Sequence, residues 1–182
     1  MKMKTDENNP KELTTIGLGG GCHWCTEAVY ASLKGVVSVE QGWISADSPD
    51  ESFSEAVIIK LDDQQIKLQD IIEIHLYTHS STSDHGMRKK YRSAVYAMSN
   101  KEKSHIEELL TELQKEFSEP LITRALLFKA FKKSDEKYLD YYYKNPDKPF
   151  CHTYIQPKLR RLIERYPNAV KQSKLAEPNI CT

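Results

Sequence analysis

The stretch that most constrains this chain is Gly19-Gly20-Gly21-Cys22. It lies between a β-prone run, Leu13 to Leu18, and a helical run, Glu27 to Leu33. Three glycines let the backbone turn tightly and approach a ligand closely. A cysteine directly after such a turn sits at a helix N-terminus, where free N–H groups and the helix dipole favour the thiolate. The thiolate is the nucleophilic form, so Cys22 reads as a reactive cysteine rather than a small buried hydrophobe. Cys25 completes a C-x-x-C pair, Cys22-His23-Trp24-Cys25, in a chain with four cysteines. That is too few for a disulfide scaffold, and in a reducing compartment such a pair reads as redox or metal chemistry. Thr26 stands where c-type haem attachment needs a histidine.

Around this turn the chain reads as mixed α and β. Gly35 ends the first helix, and Val36 to Ile44 reads as a strand with Val37 and Val39 on one face. Ala46 to Ser54 is rich in Asp, Ser and Pro and reads as a loop. Ala56 to Leu61 is a β-branched run and a buried strand. Leu68, Ile71, Ile72, His75 and Leu76 fall at the spacing of an amphipathic helix. His79 to Lys90 is polar and irregular, the longest expected loop. Ser93 to Met98 reads as a strand, and Ser99 with Glu102 is a capping-box pattern. A helix follows through Ile106, Leu109, Leu110, Leu113 and Phe117 until Pro120 breaks it. Leu121 to Phe128 reads as a strand and Ser134 to Tyr143 as a short aromatic helix. Asn145 to Pro149 forms a turn, and Pro157 opens a C-terminal helix carrying Leu159, Leu162, Ile163 and Tyr166. Strands and helices mix without strict alternation. The expected fold is therefore α+β, a two-layer sandwich of helices on a mostly antiparallel mixed sheet.

Composition narrows the function classes. The 182 residues suit one domain on a prior of roughly 100–200 residues, with 1–12 expected as a flexible tail and 13–182 as a single catalytic domain. Lys+Arg and Asp+Glu both number 26, giving zero formal net charge. That balance argues against a nucleic-acid binder, and Arg88, Lys89, Lys90, Arg92, Lys132, Lys133, Arg160 and Arg161 read as a solvated face. No apolar run approaches the ~20 residues of a membrane span, and the first ten residues are no secretion signal. A monomer in the cytoplasm is expected.

The motifs then become specific. Gly20-Gly21-Cys22-His23-Trp24-Cys25-Thr26-Glu27-Ala28 resembles the active-site signature of the peptide methionine sulfoxide reductase A (MsrA) family. Lys34 to Trp43 resembles the family's strand ending in G-Y. Glu55-Ala56-Val57 resembles its E-A-V start, and Lys90-Tyr91-Arg92-Ser93-Ala94-Val95-Tyr96 its Q-Y-R-S-A-I-Y segment. Tyr142 to Pro146, Pro149-Phe150-Cys151 and Pro157-Lys158-Leu159 are similar to its C-terminal stretches. These matches run in the family's order from about Ile16 to Leu162.

The resemblance implies the ferredoxin-like fold of that family and a two-stage thiol reaction. Cys22 attacks the sulfur of an S-epimer methionine sulfoxide, free or in a protein, leaving methionine and a sulfenic acid on Cys22. A second thiol condenses with that acid to a disulfide, which thioredoxin (or dithiothreitol in vitro) reduces. No bound cofactor or metal is implied. Glu55 is the expected acid, desolvated by Ala56, Val57 and Ile58 so that it holds a proton. Tyr91 matches the tyrosine that hydrogen-bonds the sulfoxide oxygen, and Trp24 supplies an apolar wall. His23 stands where the family has Phe, adding a polar edge to the methyl pocket. Trp43 stands at the second oxygen-binding tyrosine position with only an N–H to offer. Asp84, in a shortened loop, takes the place of the family's loop aspartate.

For the second thiol, Cys151 and Cys25 rank close together and Cys181 third. Cys151 follows a proline-rich turn, where approach costs little backbone distortion, so Cys22–Cys151 is the first disulfide expected. Two other classes fit the cysteines: a thioredoxin-like disulfide oxidoreductase using Cys22 and Cys25, which works without any sulfoxide, and a zinc site from Cys22, Cys25, Cys151 and His152.

Overall fold

The computed structural model describes residues 12–175. Among these residues five strands, β1 (Thr14–Gly19), β2 (Val36–Ala46), β3 (Ser54–Leu61), β4 (Ala94–Ala97) and β5 (Arg124–Lys133), form one sheet in the order β1-β3-β2-β5-β4. Only β4 and β5 run parallel. The mostly antiparallel mixed sheet is as expected, but the two-layer sandwich is not. β1 pairs with β4 as well as with β3, so the sheet closes into a barrel.

The alternation of side chains explains the closure. Ile16, Leu18, Val57, Ile59, Leu61, Val95 and Ala97 face outward into the main core beneath the helices. The inward positions form a second, smaller cluster of Ile44, Ala46, Ala56, Ala94 and Tyr96. Most of these are small, as a narrow five-stranded interior requires. At Gly17 a Cβ would lie 2.6 Å from Ile44 Cδ1 and 3.0 Å from Tyr96 Cβ, so the interior has no room for a side chain there.

Among the described residues are six α-helices: α1 (His23–Ala31), α2 (Leu68–Thr78), α3 (Asn100–Leu113), α4 (Tyr141–Lys144), α5 (Gln156–Arg165) and α6 (Gln172–Leu175). α2 buries Ile71, Ile72, His75 and Leu76, the stripe its spacing predicts. At α3 the Ser99 hydroxyl accepts from the Glu102 N–H at 3.2 Å. The Glu102 carboxylate accepts from Met98 N rather than closing the box on Ser99. None of the helices among the described residues is long and apolar enough to cross a membrane.

Several elements differ from expectation. Val37 is exposed, because the β2–β3 register shifts between Val36 and Ser38. β5 continues to Lys133 through its pairing with β2. The expected helix 134–143 is broken at Asp140, whose φ is +55°. The buried Glu27 carboxylate accepts from Asp140 N at 2.9 Å and Gln41 Nε2 at 2.6 Å, holding that break against α1. Cys151 lies in a π-helical turn, Cys151–Ile155, leading directly into α5, rather than on irregular chain. Residues 1–11, nearly all of the expected tail, and Cys181 lie outside the described residues.

Candidate active site

The glycine turn is built from beneath by two histidines of the α2 end. Gly20 has φ +155°, and a Cβ there would run into the His79 ring. The His75 Nε2–H donates to the Gly19 carbonyl at 2.8 Å. His79 donates through Nδ1 to the His75 carbonyl and accepts at Nε2 from the Ser93 hydroxyl at 2.8 Å. Ser93 is in turn 2.8 Å from the Thr123 hydroxyl. Burial keeps both imidazoles neutral, with the His75 pKa pushed down to about 4 and that of His79 well below its ordinary value. Arg88 ties the long loop to the same turn. Its Nη1 donates to the carbonyls of Gly20 and Tyr91, both at 2.9 Å, and its Nε to that of Ser83 at 2.9 Å.

Cys22 is the N-cap residue of α1, with φ −57° and ψ 130°. Its carbonyl accepts from the N–H groups of Cys25 at 3.1 Å and Thr26 at 3.2 Å. Its thiol is half-buried. The pKa of Cys22 is lowered, first by a hydrogen bond from the Cys25 thiol and also by the N–H groups of Trp24 and Cys25. Burial and the charge of Glu55 work against this. Cys25 is the donor of the pair, and its own pKa is raised by that hydrogen bond and by burial. The helix-start thiol thus has a partner inside the C-x-x-C pair itself that lowers its pKa.

Glu55 is the second residue of β3, on its outward face and buried against the start of α1. Its Oε2 accepts from the His23 N–H at 3.1 Å, and Lys90 Nζ stands 3.6 Å from Oε1. The carboxyl therefore does not sit in the purely apolar setting that its sequence neighbours suggested. The His23 ring donates from Nδ1 to the Gly42 carbonyl at 3.0 Å and lies 3.8 Å from Glu55 Oε2. The Trp24 indole stacks on Tyr141, with ring centres 4.0 Å apart and planes 6° apart, and meets Phe150 edge-on at 5.4 Å. A cavity of about 770 Å³ joins these groups, lined by Cys22, His23, Trp24, Cys25, Glu55 and Tyr91. It places a thiol of lowered pKa, a carboxyl, a phenol and a flat apolar wall around one volume, a set able to attack a polar sulfur centre and bind a methyl group beside it.

A sequence profile described as "Peptide methionine sulfoxide reductase" matches residues 14–171. The chain belongs to the peptide methionine sulfoxide reductase family. Within this family it is 32% identical over 174 residues to the peptide methionine sulfoxide reductase MsrA of Trichodesmium erythraeum, covering 87% of this chain and 98% of the relative. It is 30% identical to that of Saccharolobus solfataricus, over 85% and 95%. Among solved structures it is similar to reduced Mxr1 from Saccharomyces cerevisiae, with a TM-score of 0.65, 23% identity, and 83% and 96% covered. Mxr1 in complex with Trx2 gives a TM-score of 0.55 at 21% identity, with 76% and 91% covered.

In this family member not every expected residue reaches the cavity. Trp43 packs edge-on against His23 at 5.0 Å, beneath Lys132, and does not line the cavity. It pairs with Glu55 across β2 and β3, so it stands behind His23 rather than facing Cys22. Asp84 is exposed and likewise outside the lining. Cys151 is fully buried, donates to the Asn145 carbonyl at 3.2 Å, and has its pKa raised by burial. Cys25 shares the cavity with Cys22, whereas Cys151 does not line it. Cys22, Cys25, Cys151 and His152 do not converge on one point, and among the described residues there is no group of three or more metal-ligating side chains. Lys158, Phe150, Tyr154 and Met87 also line the cavity. Their signal in the sequence was only the P-F-C and P-K-L stretches, and Met87 gave none.

Proposed function

We propose that this reductase converts the S epimer of methionine sulfoxide, in proteins or as the free amino acid, to methionine. The observation that carries the reading is the single cavity in which the Cys22 thiol, with its lowered pKa, faces Glu55 and Tyr91 along the Trp24 wall. The substrate methyl group packs on the Trp24 indole, and Tyr91 and Glu55 reach the sulfoxide oxygen. The Cys22 thiolate attacks the sulfoxide sulfur and Glu55 gives a proton to the oxygen. The S–O bond to methionine breaks, leaving methionine reduced by two electrons and Cys22 as a sulfenic acid. The Cys25 thiol then attacks the Cys22 sulfur, water leaves, and a disulfide forms.

Cys25 takes this role in place of Cys151 because it already hydrogen-bonds Cys22 and shares the cavity, while Cys151 is buried against Asn145. Thioredoxin, or dithiothreitol in vitro, returns both sulfurs to thiols by oxidation of its own pair. The region from residue 13 onward acts as one catalytic domain, and the cytoplasm suits a C-x-x-C pair that must be kept reduced. The test is turnover of separated S and R epimers of a methionine sulfoxide substrate, with thioredoxin as reductant. Reduction of the S epimer alone is expected; turnover of neither, or of R in preference, overturns the assignment.

A further inference from the structure

Lys158 stands in the first turn of α5 and lines the catalytic cavity beside the glycine turn. Its Nζ is 3.4 Å from the point a Cβ would occupy on Gly21. Gly21 has no Cβ, so nothing from that residue covers the ammonium. Among the described residues Lys158 makes neither a hydrogen bond nor an ion pair. The other lysine of the cavity, Lys90, is taken by Glu55 at 3.6 Å and lies over the Tyr91 ring. Glu55 is the one carboxylate of the lining, and it already accepts from the His23 N–H. Lys158 is therefore the lysine of the lining with no carboxylate partner, a few ångströms from the residue before the nucleophile, and its charge also acts on Cys25, His75 and His79. A sulfoxide carries no net charge, and Glu55 and Tyr91 line the same cavity to meet its oxygen.

We infer that Lys158 anchors a carboxylate carried by the substrate next to the sulfoxide side chain. This rests on the reductase reading and adds a substrate preference to it. The carboxylate has two possible sources: the α-carboxylate of a terminal or free methionine sulfoxide, or the side chain of an acidic neighbour in a peptide. An ammonium at a cavity wall discriminates a carboxylate from its neutral amide through a charge-assisted hydrogen bond. It acts on binding before the chemical step, so the effect falls on KM rather than kcat. Because the site is open to water, added salt screens it.

The experiment compares two pairs of S-epimer substrates. One is N-acetyl-methionine sulfoxide against its N-methylamide. The other is a capped, amidated peptide with Glu after the methionine sulfoxide against the same peptide with Gln. The account expects a preference of about tenfold in kcat/KM for the charged member of at least one pair at low salt. That preference shrinks as salt is added. The pair that shows it names the source of the carboxylate. Lys158→Met should bring the ratio close to one, and Lys158→Arg should retain it. A ratio near one in the unaltered protein overturns the inference whatever the variants do. So does a Lys158→Met enzyme that slows both members equally, since the lysine would then act on the cysteines and not on the substrate. Failure to reduce any of the four substrates would instead overturn the reductase reading itself.

Discussion

Replacing Cys25 separates its two duties, because alanine and serine remove different things. In the protein the Cys25 thiol donates to Cys22 and is the largest influence lowering the Cys22 pKa. A hydrogen bond to a charged group contributes about 1.5–3 kcal/mol, and 1.36 kcal/mol corresponds to one pKa unit. Cys25→Ala deletes the donor and leaves burial and the charge of Glu55 in place. Both of these favour the neutral thiol, so the Cys22 titration should move upward by about one to two units. Cys25→Ser keeps a donor of similar reach and should titrate near the unaltered protein, yet it can form no disulfide. The pH dependence of Cys22 alkylation, checked by ultraviolet thiolate absorbance, reads the first effect. Steady-state turnover with thioredoxin reads the second: both variants should make one round of methionine and then stall. An alanine variant that titrates unshifted would refute the hydrogen bond as the source of activation. A serine variant that keeps turning over with thioredoxin would refute Cys25 as the resolving thiol.

Glu55→Gln should slow the single-turnover step by about 10²–10⁴-fold, the usual weight of a positioned acid; an unchanged rate in rapid-quench measurements would place the proton donor elsewhere. Cys151→Ser should keep full recycling by thioredoxin, and a stalled enzyme would return the resolving role to Cys151. Gly20→Ala should lose about 1–3 kcal/mol for the backbone conformation alone, plus the cost of displacing the His79 ring. Urea unfolding with an unchanged midpoint would contradict the tight packing under the turn. Stability should also fall as pH drops from 6.5 towards about 4, because His75 titrates near 4 in the folded chain against its ordinary 6.5. The unfolded chain binds that proton first, so the contribution is complete above the ordinary pKa and is lost as pH falls through the folded one. Its size is about 3 kcal/mol, and His79 acts in the same direction. A His75→Gln variant with the same pH slope of stability would contradict this.

What was legible in the sequence was local. The β1 run, the glycines, Cys22 and the helix after it are adjacent along the chain, so propensity and turn chemistry are enough to assemble them. Barrel closure was not legible, because it depends on Gly17, Leu18 and Gly19 pairing with Tyr96, Val95 and Ala94 some eighty residues later. The break at Asp140 was hidden for a similar reason: the carboxylate that stabilises it belongs to Glu27. Ranking Cys151 ahead of Cys25 treated a proline-rich stretch as free chain. A π-helical turn packed under α1 and α5 leaves that thiol buried instead. Trp43 was misplaced by one layer, since its strand position is beside Glu55 but the His23 ring stands between it and the cavity. Lys158 carried no chemical signal of its own, and only the fold shows that its ammonium stands beside Gly21.

The central claim is that Cys22 is the sulfur that attacks the sulfoxide. The most direct measurement mixes enzyme, without reductant, with the S epimer of a methionine sulfoxide substrate and counts the methionine released per enzyme. The same count is made for Cys22→Ser. The account predicts about one equivalent from the unaltered protein, matched by the loss of the Cys22 thiol, and none from the variant. A Cys22→Ser protein that still releases one equivalent of methionine would contradict it.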